Sequence, residues 1–212
     1  APFALMDPGK RHEMGTAAVR IAREVGYVNA GTIEFLMDSG GNFYFIEMNT
    51  RLQVEHPVTE QVTGIDIVKT MIQIAAGHEL PFSQEDISWS GHSIEARITA
   101  EDPDRNFAPS CGKIEEWQPP RGEHIRIESH LYKGFEISPY YDPMVAKLIV
   151  TAADRPAAVE RMQRALDEFR IEGISTNIPF LKQLVRTDAY VRGEVHTQTV
   201  AEIMSRAEVH AG

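Results

Sequence analysis

One short segment of the chain has the pattern that most restricts its possible fold. Two runs rich in β-branched and aromatic residues, Gly31–Asp38 and Phe43–Asn49, flank the four residues Ser39–Asn42. Because glycine and asparagine favour tight turns, the segment is predicted to form a β-hairpin with a four-residue loop. If the last residue of the first run faces the first residue of the second, one face is apolar throughout. That face consists of Ile33, Phe35, Met37, Tyr44, Ile46 and Met48.

The same register places two acidic residues directly opposite each other. Glu34 faces Glu47, and Asn49 extends the same line of side chains. Two facing carboxylates repel and destabilise a sheet, whereas a divalent cation between them reverses that effect. Mg²⁺ in nucleotide enzymes is held by one or two carboxylates together with phosphate oxygens. The hairpin therefore predicts a metal site for a bound nucleotide; the alternative is a solvated face with two unrelated acids.

A polar loop, Asn49–Pro57, follows the second strand directly. Arg51 offers a planar fork that suits a carboxylate, phosphate or bicarbonate, and Gln53 can both donate and accept hydrogen bonds. Glu55 can serve as a general base beside a small acid. The alternative is an ordinary surface loop with a salt bridge, and we interpret His56 as a structural polar residue.

The remaining patterns predict helices and strands on both sides of a connector at His78–Gly91, where we place a domain boundary. The predicted helices are Lys10–Val25, Asp66–Ala76, Arg155–Phe169, a helix from the cap Asn177 through Val185, and Thr197–Ser205. The predicted strands are His92–Thr99, Gly112–Trp117, His124–Leu131 and Met144–Ala152. Helices mixed with mainly antiparallel strands define an α+β fold, with domains over residues 1–90 and 91–212.

Composition excludes several classes of protein. The chain is 42% apolar and 25% charged, which is typical of a soluble globular protein. A net charge of −10 argues against a nucleic-acid partner. The sequence contains no run of eighteen apolar residues, so no membrane span is predicted. The single cysteine, Cys111, fits a reducing compartment. Residues 1–15 have no apolar region of the kind found in signal peptides, so no signal peptide is predicted there. The chain also lacks an initiator Met, so we expect a piece of a longer chain.

The polar loop carries a specific resemblance. The sixteen residues Phe45–Glu60, with the sequence FIEMNTRLQVEHPVTE, resemble the signature of biotin carboxylases, which have the ATP-grasp fold. Four later segments also resemble the C-terminal domain of that family: Gly91–Ile98, Ala100–Pro103, Pro139–Met144 and Gly173–Asn177. The resemblance extends to about Ile203. It implies the C-terminal half of an ATP-grasp domain over residues 1–90, followed by a biotin carboxylase C-terminal domain, mainly antiparallel with helices, over 91–212.

The resemblance also implies roles for single residues. It assigns Glu34, Glu47 and Asn49 to Mg²⁺ or Mn²⁺ bound against ATP, and Arg51, Gln53 and Val54 to bicarbonate, the valine through its backbone. It makes Glu55 the base that deprotonates bicarbonate and Arg97 the residue that stabilises the biotin enolate. Strand alternation agrees for Arg97, because Ile94, Ala96 and Ile98 point to the opposite face. Without the resemblance, the strand pattern favours the alternative, in which Arg97 is only a solvated charge.

The implied reaction is the ATP- and bicarbonate-dependent carboxylation of biotin through carboxyphosphate. The implied partners are a biotin carboxyl carrier protein or domain, a carboxyltransferase, the N-terminal half of the enzyme, and a second copy in a homodimer. The implied location is the cytoplasm, or the mitochondrial matrix in a eukaryote. Acetyl-CoA, propionyl-CoA, methylcrotonyl-CoA and pyruvate carboxylases share such parts, so the acyl acceptor stays open. Another ATP-grasp ligase and a noncatalytic binding or assembly fragment are the alternatives.

Overall fold

The computed structural model describes residues 1–3 and 6–210, which form two compact units divided between Ser90 and Gly91. We call residues 1–90 unit 1 and residues 91–212 unit 2. No helix in the described part of the chain has the length and apolarity that a membrane span requires.

Unit 1 combines three helices with one hairpin. Its elements are α1 (Pro8–Glu24), β1 (Thr32–Met37), β2 (Phe43–Asn49), α2 (His56–Thr63), α3 (Ile67–Ala75) and a 3₁₀ turn at Gln84–Asp86. Helix α1 begins two residues before the prediction because the Asp7 carboxylate accepts a hydrogen bond from the Lys10 backbone N–H at 3.0 Å. Asp66, the first residue of the predicted helix Asp66–Ala76, caps α3, and its carboxylate accepts a hydrogen bond from the Lys69 backbone N–H at 2.8 Å.

The hairpin register matches the prediction at its base and departs from it towards its tip. Ile33 pairs with Met48 and Glu34 with Glu47, as predicted. Beyond this point a β-bulge shifts the register, so that Phe35 pairs with Phe45. The predicted facing pairs Phe35–Ile46, Met37–Tyr44 and Asp38–Phe43 are therefore wrong; the observed partners of Leu36 and Met37 are Tyr44 and Phe43.

The side chain of Asp38 explains the shift. Its Oδ1 accepts hydrogen bonds from the backbone N–H groups of Gly40 and Asn42, both at 2.9 Å, which makes Asp38 a residue of the turn. The strand therefore closes one residue earlier, at Met37. The extra residue on the second strand is Ile46, whose side chain is 54% exposed, so the predicted continuous apolar face does not form.

Unit 2 contains the other strands and helices. Its strands are β3 (His92–Thr99), β4 (Glu101–Asp102), β5 (Ala108–Pro109), β6 (Gly112–Lys113), β7 (Glu116–Gln118), β8 (Ile125–Ser129), β9 (Glu136–Ile137), β10 (Met144–Ala152) and β11 (Arg170–Glu172). Its helices are α4 (Arg155–Glu168), α5 (Ile178–Leu184), α6 (Asp188–Arg192) and α7 (Thr199–His210), with a 3₁₀ turn at Pro103–Arg105. All paired strands in the described residues are antiparallel, which confirms the α+β class.

The predicted single strand Gly112–Trp117 is wrong, because this segment serves two different sheets. Strand β6 pairs with β9, whereas β7 pairs with β11. Between them Ile114 is 1% exposed, and its backbone N–H donates to the Phe135 carbonyl at 2.8 Å. The chain therefore bends at Ile114 to bury that side chain while it changes partners.

The core of unit 2 lies between its largest sheet and helix α4. Strand β10 is central in the order β3-β10-β8, which agrees with its nearly continuous apolar sequence. Ile98, Leu148, Met162 and Leu166 are each fully buried in one cluster. Burying such a side chain contributes about 1.5–3 kcal/mol. In unit 1, by contrast, Pro57 and Val62 are the only buried side chains among the described residues.

Candidate functional site

The base of the hairpin brings the two predicted acids together. Asn49 donates through Nδ2 to Glu34 Oε1 at 2.9 Å and to Glu47 Oε1 at 3.0 Å. Both carboxylates therefore contact the same amide group, on the same side of the hairpin. The Asn49 amide nitrogen thus already bridges one oxygen of each carboxylate.

The polar loop joins this carboxylate pair directly. Gln53 donates through Nε2 to Glu34 Oε1 at 2.8 Å. The Arg51 guanidinium donates to Asn49 Oδ1 and to the Leu52 carbonyl, both at 3.2 Å. Four of the predicted polar residues around Glu34 thus form one hydrogen-bonded cluster with it.

The end of the loop is set by a helix that the sequence analysis missed. Helix α2 starts at His56 with Pro57 in its first turn, and Gly64 ends it in the left-handed conformation. Proline in the first turn and glycine just past the end are the signals that could have predicted it. Glu55 is the N-cap residue and its side chain is exposed, while His56 Nδ1 lies 2.8 Å from the Gln53 carbonyl.

The donor set fits a hard divalent cation. Two carboxylates and an amide are the oxygen donors that Mg²⁺ accepts in proteins. The described residues include no group of three or more His, Cys, Asp or Glu placed to hold a metal, so Glu34 and Glu47 need ligands from outside that set. Asn49 turns its Nδ2 to the carboxylates and its Oδ1 to Arg51. For Asn49 to act as a ligand, its amide must turn over.

Arg97 lies on β3 of unit 2, opposite Lys147 of β10. Its side chain is exposed, whereas Ala96 and Ile98 are buried on the other face, which confirms the predicted alternation. Asn177 holds this strand through its side chain, which donates to the Arg97 carbonyl at 2.9 Å and accepts from the Thr99 N–H at 3.0 Å. The backbone that carries Arg97 is thereby fixed from two sides.

Comparison with known families decides the identity of the chain. A family model described as the biotin carboxylase C-terminal domain matches residues 95–202. A second model, described as the ATP-binding domain of the carbamoyl-phosphate synthase L chain, matches residues 1–83. The chain belongs to the biotin carboxylase family.

Individual biotin carboxylases and carboxylase subunits are also similar to this chain in sequence and structure. The chain is 51% identical over 202 residues to the small subunit of 2-oxoglutarate carboxylase from Hydrogenobacter thermophilus, covering 95% of this chain and 43% of that one. It is 48% identical over 203 residues to the biotin carboxylase of Nostoc sp., covering 96% and 45%. The biotin carboxylase domain of a thermophilic 2-oxoglutarate carboxylase, bound to bicarbonate, is 50% identical with a TM-score of 0.94, covering 96% and 47%. The chain thus spans less than half the length of these relatives.

In this biotin carboxylase chain, Lys147 faces Arg97 and forms an ion-pair cluster with Glu128 and Arg126 that the sequence patterns did not predict. Lys147 is 8% exposed and its Nζ lies 2.5 Å from Glu128 Oε2, while Arg126 contacts the other oxygen of Glu128. Burial opposes ionisation of Glu128, but its hydrogen bonds and ion pairs with Lys147 and Arg126 hold the pKa of its carboxyl below the ordinary value. A single lysine within the apolar run of β10 was the available signal.

Proposed function

We propose that the full-length protein containing this chain carboxylates carrier-bound biotin, using ATP and bicarbonate. Residues 1–90 supply the C-terminal part of the ATP-grasp domain, and residues 91–212 supply the biotin carboxylase C-terminal domain. The observation that carries the proposal is the hydrogen-bonded cluster of Glu34, Glu47 and Asn49 with Arg51 and Gln53. In this cluster, the residues predicted to bind the cation are hydrogen-bonded to the residues predicted to bind the anion.

The predicted cation ligands would position a metal ion at bound ATP. Glu34, Glu47 and Asn49 would hold Mg²⁺, or Mn²⁺ in its place, against the nucleotide phosphates. When bound there, the ion offsets negative charge on the transferring phosphoryl group. A related structure, the biotin carboxylase domain dimer of the Hydrogenobacter thermophilus 2-oxoglutarate carboxylase, is described as a complex with MgADP, ADP and bicarbonate.

The loop would hold and activate bicarbonate. The Arg51 guanidinium, the Gln53 amide and the Val54 backbone N–H would bind its oxygens, and the Glu55 carboxylate would take its proton. A bicarbonate oxygen then attacks the γ-phosphorus of ATP, the bond from that phosphorus to the ADP oxygen breaks, and carboxyphosphate forms. Carboxyphosphate breaks down to CO₂ and phosphate, and the phosphate removes the proton from biotin. Arg97 would stabilise the negative charge on the biotin oxygen while the nitrogen attacks CO₂.

The proposed partners follow from this reaction. They are a biotin carrier protein or domain, a carboxyltransferase that selects the acyl acceptor, the N-terminal half of the enzyme and a second copy in a dimer. Acyl-CoA carboxylation, including fatty acid biosynthesis, and pyruvate carboxylation are the metabolic settings proposed, in the cytoplasm or the mitochondrial matrix.

The test separates two roles within the full-length enzyme. Glu55→Gln should lower both bicarbonate-dependent ATP cleavage and biotin carboxylation by about 10²–10⁴-fold. Both rates fall because the general base is needed in the first step, before carboxyphosphate forms. Arg97→Ala should lower biotin carboxylation by about 10²–10³-fold and ATP cleavage far less, because its charge is needed later. Glu79→Gln and Arg121→Ala, at exposed positions of the same units, are matched controls. Equal loss of both rates in Arg97→Ala, with a lowered melting temperature, would show that Arg97 only orders the fold.

A further inference from the structure

The hydrogen bonds of Glu34 link the two parts of the proposed site. Its Oε1 accepts from Asn49 Nδ2 at 2.9 Å and from Gln53 Nε2 at 2.8 Å. Since a carboxylate oxygen has two lone pairs, these two donors engage both of them. Arg51 makes a parallel link, because it donates to Asn49 Oδ1. The hydrogen-bond donors Arg51 and Gln53 of the polar loop are therefore bonded to Asn49 and Glu34, two of the proposed cation ligands.

We propose that Gln53 couples divalent-cation binding at Glu34 and Glu47 to anion binding in the loop. The inference rests on the proposed function and states how the same site is regulated. A cation at Glu34 Oε1 weakens the Gln53 hydrogen bond. Turnover of the Asn49 amide frees one lone pair of this oxygen for the cation, but the positive charge then lies beside the partly positive Gln53 N–H and repels it. Once that bond breaks, the amide N–H becomes available to an anion such as bicarbonate. Conversely, an anion that engages Gln53 draws this N–H away from the cation.

The exchange of the Gln53 hydrogen bond fixes the sign of the effect, and thermodynamic linkage fixes its symmetry. The factor by which the anion tightens cation binding must equal the factor by which the cation tightens anion binding. Couplings of this kind change affinities by about 5- to 150-fold, and one exchanged hydrogen bond to a carboxylate corresponds to about tenfold. Gln53 also affects cation binding when no anion is present, because its hydrogen bond to Glu34 weakens the affinity of the site for the cation. Removing its N–H should therefore tighten cation binding, although Gln53 itself contacts no cation in this scheme.

The experiment uses the full-length enzyme with saturating ADP and measures free Mn²⁺ by electron paramagnetic resonance, with and without bicarbonate. Gln53→Met keeps the length of the side chain and removes its N–H donors. Gln84→Met, at an exposed position of the same unit, is the matched control. A titration without enzyme corrects for binding of Mn²⁺ by bicarbonate itself. Circular dichroism melts verify that each variant is folded, and Gln53→Leu serves as a second variant if Gln53→Met is not.

In the unsubstituted enzyme, bicarbonate should tighten Mn²⁺ binding about tenfold. In Gln53→Met, Mn²⁺ should bind several-fold tighter than in the unsubstituted enzyme before bicarbonate is added, and bicarbonate should then change little. Gln84→Met should behave like the unsubstituted enzyme. Unchanged or weaker Mn²⁺ binding in Gln53→Met without bicarbonate would overturn the coupling. Failure of the proposed metal site looks different, because Glu34→Gln and Glu47→Gln would then leave Mn²⁺ affinity unaltered.

Discussion

Leu148→Ala tests whether unit 2 owes its stability to the packing of β10 against α4. Leu148 is fully buried, with Ala96 on one neighbouring strand and Ile127 on the other, and it belongs to the same cluster as Met162 and Leu166 of α4. Truncating a leucine in such a setting costs about 2–5 kcal/mol, from lost burial and the remaining cavity. We expect the upper part of this range, because the strand is held on both sides and cannot collapse into the space.

The two tryptophans make a direct assay possible, since Trp117 lies in unit 2 and Trp89 in unit 1. The Trp117 ring packs edge-on against Phe169, with centroids 5.4 Å apart, so its fluorescence reports on the core of unit 2. In a Trp89→Phe background, urea unfolding should show the loss from Leu148→Ala as a lower midpoint with an unchanged slope. Val200→Ala, at a 45% exposed position of the same unit, should stay within about 0.5 kcal/mol. A loss below about 1 kcal/mol for Leu148→Ala would refute the packing argument.

Three further predictions address backbone geometry, pH and activity. Gly173→Ala should lower the melting temperature of unit 2 strongly, because Gly173 has a φ of +98° and an added Cβ would collide with the Lys113 carbonyl oxygen; Gly15→Ala, inside α1 with open space, should be neutral or stabilising. Burial, with a smaller contribution from the Arg155 charge, lowers the pKa of His92 to about 4. The folded state therefore favours neutral His92. The contribution of His92 to stability should be complete above about pH 6.5 and be lost as the pH falls towards 4. The variant His92→Asn should show a flatter dependence of melting temperature on pH in this range. The isolated 212-residue chain should show no bicarbonate-dependent ATP hydrolysis in a phosphate-release assay, because positioning supplies most of phosphoryl-transfer catalysis and the chain spans less than half of its relatives; turnover comparable to an intact carboxylase would contradict this.

The sequence predicted the base of the hairpin because its alternation is strict there. Ile33 and Met48 had to share a face, and this placed Glu34 opposite Glu47. Alternation does not, however, determine where the turn begins. That boundary depends on the Asp38 carboxylate, which bonds to the backbone of the turn and withdraws one residue from the strand. The aspartate before Ser-Gly-Gly-Asn was the local signal for this.

Features that depend on distant partners were beyond sequence patterns. The segment Gly112–Trp117 looks like one strand, but its two ends pair with strands that lie further along the chain. Lys147 looks like an interruption of an apolar strand until the fold places Glu128 next to it. Likewise, Asn177 was predicted as a helix cap, yet its side chain bonds to the backbone at Arg97 and Thr99. Periodicity assigns a face to each side chain and leaves its partner undetermined.

The bulge at Ile46 has a practical consequence for labelling. It takes up the extra residue within the second strand, between the acidic base of the hairpin and its turn. We therefore expect residues inserted into Ser39–Asn42 to change the pairing between the bulge and the turn, and to leave Glu34 opposite Glu47 at the base. The turn is thus a suitable attachment point for a fluorophore or an inserted peptide tag, which would sit on the same hairpin as the carboxylates and leave their alignment intact.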